Sequence, residues 1–155
     1  MNDLFKNINI SIIDTISIEA ESNGKEVYLV GGFVRDLILN RRNKDIDVMV
    51  VGNGIDFAKH ISNKLNKKLQ IFKNFGTAML KTENYDIEFV GARKESYSKD
   101  SRNPVVEQGT LVEDLSRRDF TINSLAISLN KKNYGEIIDL FSGRADIDKK
   151  IIRTP

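Results

Sequence analysis

The sequence contains no cysteine. Disulfides and thiolate metal sites are therefore excluded, and the absence fits a reducing compartment. No apolar run approaches the roughly 20 residues that a membrane span requires. The opening stretch MNDLFKNINI carries Asp3 and has no basic segment followed by an apolar one. A signal peptide is not expected, and a cytoplasmic location is. Neither a G-x-S-x-G elbow nor a G-x-G-x-x-G fingerprint occurs, which removes serine-hydrolase chemistry of that type and a dinucleotide fold. The single histidine, His60 in FAKHISNKL, reads as a structural or solvated residue. Internal repeats and low-complexity tracts are absent.

What is present suits one globular domain over residues 1–155, in which 1–25 form an N-terminal helix and turn. Of the 155 residues 40% are hydrophobic and 30% charged, enough apolar content for a real core. The formal net charge of +2 does not by itself declare a nucleic-acid binder. Local basic clusters stand at Arg41, Arg42 and Lys44, at Lys64, Lys67 and Lys68, at Arg117 and Arg118, and at Lys149, Lys150 and Arg153. Each of them equally suits a solvated surface.

The spacing of Ile8, Ile12 and Ile16 predicts an amphipathic helix over Leu4 to Ala20. A turn at Asn23 to Lys25 leads to a strand over Glu26 to Val30. Gly31 and Gly32 open a helix through Asn40, and KDIDVMVV (44–51) reads as the next strand. Ile55, Ala58, Ile61 and Leu65 recur at helical spacing after the GNG turn. Strands follow at Leu69 to Phe72, Thr77 to Thr82 and Tyr85 to Val90, the last two joined by a hairpin turn at Glu83 to Asp86. Arg93 to Gly109 reads as a long polar loop that moves between nucleotide-free and nucleotide-bound states. Leu111 to Asn130 reads as a helix leading into a strand, with Phe120, Ile122 and Leu125 in the core. GEIIDLFSG (135–143) reads as a short strand and turn. This order implies a mixed α/β or α+β domain with a partly antiparallel sheet.

Strand alternation sets Asp45, Asp47, Met49 and Val51 on one face and Ile46, Val48 and Val50 on the other. Two unscreened carboxylates on one face repel, and burying either is costly. A bound divalent cation removes that penalty, and magnesium prefers carboxylates together with phosphates and water. A solvated strand end would carry the same pattern. In YDIEFV (85–90), Asp86 and Glu88 share a face, so either completes a carboxylate trio if the two strands are neighbours. Such a trio holding two metals suits activation of a hydroxyl and clamping of a triphosphate, whereas an edge strand charged against aggregation would read alike. The Gly31-Gly32 junction lets backbone approach an anion at a helix start, with Arg35 one turn on. In RRDFTINSL (117–125), a helix would bring Asp119 and Asn123 onto one face and Arg118 and Ile122 onto another. Arg118 there suits a triphosphate and Asn123 a sugar or phosphate; surface ion pairs at a helix start would look the same.

Taken together, GGFVRDLILNRRNKDIDVMVVG, IEFVGARKESY and LSRRDFTINSLAI resemble three successive motifs of the class II tRNA nucleotidyltransferases, or CCA-adding enzymes, and of the similar bacterial poly(A) polymerases. The resemblance runs from about Val27 to Pro155. It implies a polymerase-β-like head domain with a mostly antiparallel mixed sheet flanked by helices. It implies Asp45 and Asp47 as ligands of catalytic Mg²⁺, with two ions during catalysis, and Glu88 rather than Asp86 as the third carboxylate. It also implies Gly32, Arg35 and Arg118 at the nucleotide, with Asp119 and Asn123 in the same motif, and Gly31 and Asp36 mainly in turn geometry and helix capping. The implied substrates are CTP and ATP, and the implied acceptor is the 3′ end of tRNA. In that family a neck helix with an E-D-x-x-R-type motif selects the base, and body and tail domains grip tRNA. None of these lies within this sequence, so a fragment of a longer protein, or a short chain completed by a second polypeptide, is expected.

Overall fold

The computed structural model describes residues 10–96 and 105–155. Five α-helices and nine strands are found among them: α1 (Ile10–Ser22), β1 (Val27–Val30), α2 (Gly32–Ile38), β2 (Asp45–Val50), α3 (Gly54–Leu65), β3 (Leu69–Phe72), β4 (Thr77–Lys81), β5 (Asp86–Gly91), β6 (Arg93–Ser96), β7 (Val105–Gln108), α4 (Leu111–Ser116), β8 (Leu125–Ser128), β9 (Ile137–Asp139) and α5 (Gly143–Lys149). Seven strands form one sheet in the order β3-β4-β5-β2-β1-β8-β9, and β6 and β7 form a separate ribbon. Every pair in the large sheet is antiparallel except β2 with β5. Parallel neighbours cannot be joined by a tight turn. Here the crossover consists of α3, β3 and β4.

Alternation along the strands divides the interior in two. Ile46, Val48 and Val50 of β2 and Ile87 and Phe89 of β5 enter the larger core, with Ile12, Ile13 and Ile16 of α1, Phe33 and Val34 of α2, and Phe57, Ala58 and Ile61 of α3. Three helices thus cover one face of the sheet. On the opposite face a smaller cluster of Tyr28, Val30, Met49, Ala92 and Ala126 is capped by Leu115 of α4. The rest of that face is left for polar side chains.

Local chemistry sets the helix ends. The Asn53 side chain accepts the Asp56 N–H at the start of α3, and Asn66 closes it in the left-handed conformation at φ 49°. Thr110 and Glu113 form a reciprocal capping box on α4.

Three expectations are corrected. Residues 111–123 are not one helix: α4 ends at Ser116, and Thr121–Asn123 form a separate 3₁₀ turn. The Asp119 carboxylate accepts the Phe120 N–H at 2.8 Å, and Phe120 is extended. A short acidic side chain has here offered the backbone a partner outside the helix. Phe120 and Ile122 are half-exposed, and only Leu125 of that trio is in the core. Second, the ends of the Arg93–Gly109 segment are strands, with Arg93 paired to Gln108 and Lys94 opposite Glu107. That ribbon shows no apolar alternation because its β7 strand is exposed throughout. Residues 97–104, where the expected loop movement falls, lie outside the described residues, as do Leu4 to Asn9 of the expected first helix. Third, the helix expected through Asn40 ends at Ile38, and Asn40 turns left-handed at φ 53°.

Phe57 and Phe89 meet edge to face with ring centroids 6.1 Å apart, joining α3 to β5. Truncating Phe89 to alanine is expected to lower stability by about 3–5 kcal/mol. A urea midpoint unchanged from wild type would contradict this packing.

Candidate active site

The parallel register of β2 and β5 sets Asp45 beside Asp86 and Asp47 beside Glu88. All four carboxylates therefore rise from the face opposite the three helices. The inner row is the more confined. Asp47 is half-buried, and its carboxyl is pushed up to about 6, first by burial, then by the charge of Glu88. Arg118 acts in the opposite sense, and Asp45 adds a further upward push. In the outer row Asp86 faces the Lys44 ammonium at 3.9 Å, while Asp45 is exposed.

Gly31 lies beside this inner row. It stands at φ 72° and ψ −142°, a conformation that side chains rarely adopt. A Cβ there would lie 3.1 Å from a terminal nitrogen of Arg118 and 3.4 Å from Oδ2 of Asp47. One glycine thus separates the arginine from the aspartate. Gly32 begins α2, and its Cβ would lie 3.4 Å from the Arg35 guanidinium.

A continuous set of hydrogen bonds fixes the cations. Arg35 donates to Asp36 Oδ1 at 3.0 Å and to Asn123 Oδ1 at 2.8 Å. Asn123 in turn donates to Asp119 Oδ1 at 3.1 Å. That bond is the main reason the exposed Asp119 carboxyl is held below its ordinary value. The pairing of Asp119 with Asn123 foreseen for a helix is thus present, but across a break and a 3₁₀ turn. Asp36 also accepts from Asn43 at 2.8 Å, and Asn43 Oδ1 accepts the Asp45 N–H at 2.9 Å. The Asp36 side chain therefore ties α2 to the start of β2, while its carbonyl accepts the Arg41 N–H at 2.8 Å at the end of the helix.

Asp114 is the residue that the sequence reading passed over. Its side chain is fully buried. One oxygen accepts Nε and a terminal nitrogen of Arg118 at 3.2 and 2.9 Å; the other accepts Arg117 at 3.2 Å and the Arg93 N–H at 2.9 Å. A buried carboxylate needs such a set of partners. Asp114 thereby fixes Arg118 against Gly31 and anchors the ribbon to α4. Its signal was legible in EDLSRR, because an acid three and four residues before two arginines shares their helix face. His60 is exposed on α3.

The donor set fits a hard cation. Carboxylate oxygens suit magnesium, and the raised Asp47 carboxyl marks an anion that a cation would relieve. Among the described residues, no three His, Cys, Asp or Glu side chains are gathered closely enough to enclose a metal ion. Magnesium held by one or two carboxylates plus substrate phosphates needs no such cage.

A family model described as the poly A polymerase head domain matches residues 27–153. The A-adding tRNA nucleotidyltransferase of Aquifex aeolicus (strain VF5) is 45% identical over 126 residues, which are 81% of this chain and 15% of that protein. The A-adding tRNA nucleotidyltransferase of Halalkalibacterium halodurans is 33% identical over 99% of this chain and 36% of its own length. The CCA-adding enzyme of Lactiplantibacillus plantarum is 38% identical over 92% of this chain and 32% of its own. Among solved structures, the CCA-adding enzyme in apo form II superposes with a TM-score of 0.89 at 36% identity, covering 97% of this chain and 37% of that one. A tRNA nucleotidyltransferase complexed with a primer tRNA and an incoming ATP analog superposes at 0.78 with 40% identity, over 90% and 38%. The chain thus spans between 15% and 36% of the length of these curated relatives. Among the described residues, no helix is long and apolar enough to cross a membrane.

The electrostatics give a signed prediction. A folded-state Asp47 near 6, raised from an ordinary 3.8, makes this group's own contribution to the metal-free fold greatest at low pH. That stability is full below about pH 4 and is lost as pH rises through 6, an effect on the order of 2–3 kcal/mol. The Asp47→Asn variant, which does not titrate there, is expected to be the more stable at pH 7 in EDTA and to lose its advantage near pH 4. Urea midpoints of the two proteins that run parallel between those pH values would contradict the assignment.

Proposed function

The chain belongs to the poly A polymerase head-domain family, and from that premise we propose that it is the catalytic head of a tRNA nucleotidyltransferase. It reads as one head domain, acting in the cytoplasm, that transfers a nucleotide from ATP or CTP to the 3′ end of tRNA. The observation that carries the reading is the contact of Asp47, Gly31 and Arg118 beside Glu88. An acidic row meets a basic group across a backbone with no side chain, which suits a metal–triphosphate on the β1 side.

In this reading Asp45 and Asp47 hold Mg²⁺. The ions, when bound, supply Lewis-acid polarisation of the phosphorus centre and lower the pKa of the attacking hydroxyl. Glu88, adjacent to Asp47, orients the 3′-hydroxyl or takes its proton. Arg35 and Arg118 present fixed guanidinium groups to the phosphates; each is already held by carboxylate or amide partners, so little reorganisation accompanies charge development. Gly31 and Gly32 admit the phosphates close to backbone. Asn123 and Asp119 stand beyond Arg35, where they meet the remainder of the nucleotide.

Both nucleotides are to be tried, because A-adding relatives range from 33% to 45% identity and CCA-adding ones reach 38% and 39%. The family description also favours a second reading, a poly(A) polymerase head. The complete protein supplied with a tRNA lacking its terminal A, and with ATP or CTP separately, distinguishes these. Addition of one A supports the first reading, and a long run of A the second. If neither nucleotide is transferred, the chain is a nucleotide-binding module inactive as an enzyme. In the active protein, Asp47→Ala is expected to lose at least about a hundredfold in transfer, more than removal of an outer-shell partner costs. Transfer by that variant at the wild-type rate would overturn the assignment.

A further inference from the structure

Nucleotidyl transfer brings two polyanions to one set of carboxylates. In-line displacement keeps the attacking and leaving oxygens on opposite sides of the phosphorus. In the site above, Arg35, Arg118 and the Gly31-Gly32 turn all stand on the β1 side of β2. The other side of β2 is formed by β5 and then β4. There the register continues both rows outward: Met79 pairs with Glu88, and Lys81 pairs with Asp86, which stands beside Asp45.

Ala78 and Leu80 of β4 enter the core beneath the helices, so Met79 and Lys81 share the carboxylate face. Lys81 is exposed at the end of its strand. Lys44, immediately before Asp45, has a side chain 73% exposed and already faces Asp86 at 3.9 Å. Asp86 has a counter-charge in Lys44, and the register sets Lys81 next to it on the following strand, so the two lysines offset the charges of Asp45 and Asp86. Two ammonium groups therefore flank the outer row, on the side of the carboxylates away from the arginines. A strand whose 3′-hydroxyl is held at Glu88 would carry its nearest phosphodiester past this edge.

We propose that Lys81, assisted by Lys44, binds the phosphate backbone of the RNA strand being extended, close to its 3′ end. This rests on the nucleotidyltransferase reading, in which the triphosphate occupies the β1 side. The contact is a point charge on phosphate. It tightens binding of any sequence, carries no base preference, and weakens with salt.

The test is a heteronuclear NMR titration of the 155-residue chain with a short single-stranded RNA ending in cytidine, over a series of salt concentrations. Shifts are expected at Lys44, Lys81, Thr82 and Asp86. The Lys81→Gln variant is expected to bind about fivefold more weakly and to lower the slope of log affinity against log salt by about 0.7, one phosphate contact on a single strand. Lys81→Arg should retain wild-type binding. ATP or CTP alone should shift Gly31 to Arg35 and Asn123 and leave Lys81 in place. The proposal fails if the RNA does not bind, if it leaves Lys81 unshifted, if Lys81→Gln binds as wild type does, or if nucleotide alone shifts Lys81. Nucleotide that leaves Gly31 to Arg35 unshifted refutes the underlying reading instead, while the RNA arm still reports on Lys81.

Discussion

The parallel pairing of β2 with β5 is the constraint on which the rest depends. In a sheet that is otherwise antiparallel, this single choice aligns Asp45 with Asp86 and Asp47 with Glu88. Like charges side by side on neighbouring strands are destabilising. The fold accepts the penalty because the opposite faces of the same strands are filled by Ile46, Val48, Val50, Ile87 and Phe89 under three helices. A register shift by one residue would exchange the faces, sending carboxylates into the core and apolar groups into water. Hydrophobic burial on one face thus holds the electrostatic frustration on the other.

The frustration is unevenly offset. The outer row has lysines near it and is open to solvent. The inner row has Arg118, whose position is set by Asp114, a carboxylate fully removed from water. Asp114 is saturated by guanidinium and backbone donors, whereas Asp47 has the weaker compensation and a carboxyl raised to about 6. Two aspartates near one arginine therefore differ: the one with its full set of partners is structural, and the one short of them keeps a raised carboxyl. The bonds from Asp119 through Asn123, Arg35, Asp36 and Asn43 to the Asp45 backbone hold the other arginine in the same rigid frame.

Period-2 alternation made much of this legible in the sequence. It assigned Asp45, Asp47 and Glu88 to polar faces, and the glycine pair announced the tight approach beside them. Where periodicity was lacking or misleading, the sequence pattern did not determine the structure. EDLSRRDFTIN has helical spacing throughout, but the break after Ser116 depends on which partner the Phe120 N–H chooses, a competition that spacing does not encode. The β6–β7 ribbon lacks apolar alternation because β7 is exposed throughout and β6 meets α4 through polar groups. Asp114 was overlooked for a related reason: an acid beside two arginines on a short helix looks like a surface ion pair until α4 is known to lie against the sheet.

The formal net charge of +2 conceals a sorted distribution of charge. The sum is small because acids and bases are both numerous, and its arrangement is what acts. Carboxylates occupy the middle strands of the open face, guanidinium groups the β1 side, and the Lys44 and Lys81 ammonium groups flank the outer row. Arginine presents a planar fork that its partners can fix, which suits a triphosphate that must be held in one geometry. Lysine is a mobile point charge, which suits a strand that must advance after each addition. In the proposed function, the type of cation on each side matches the rigidity that each substrate would require, with the carboxylate rows between them.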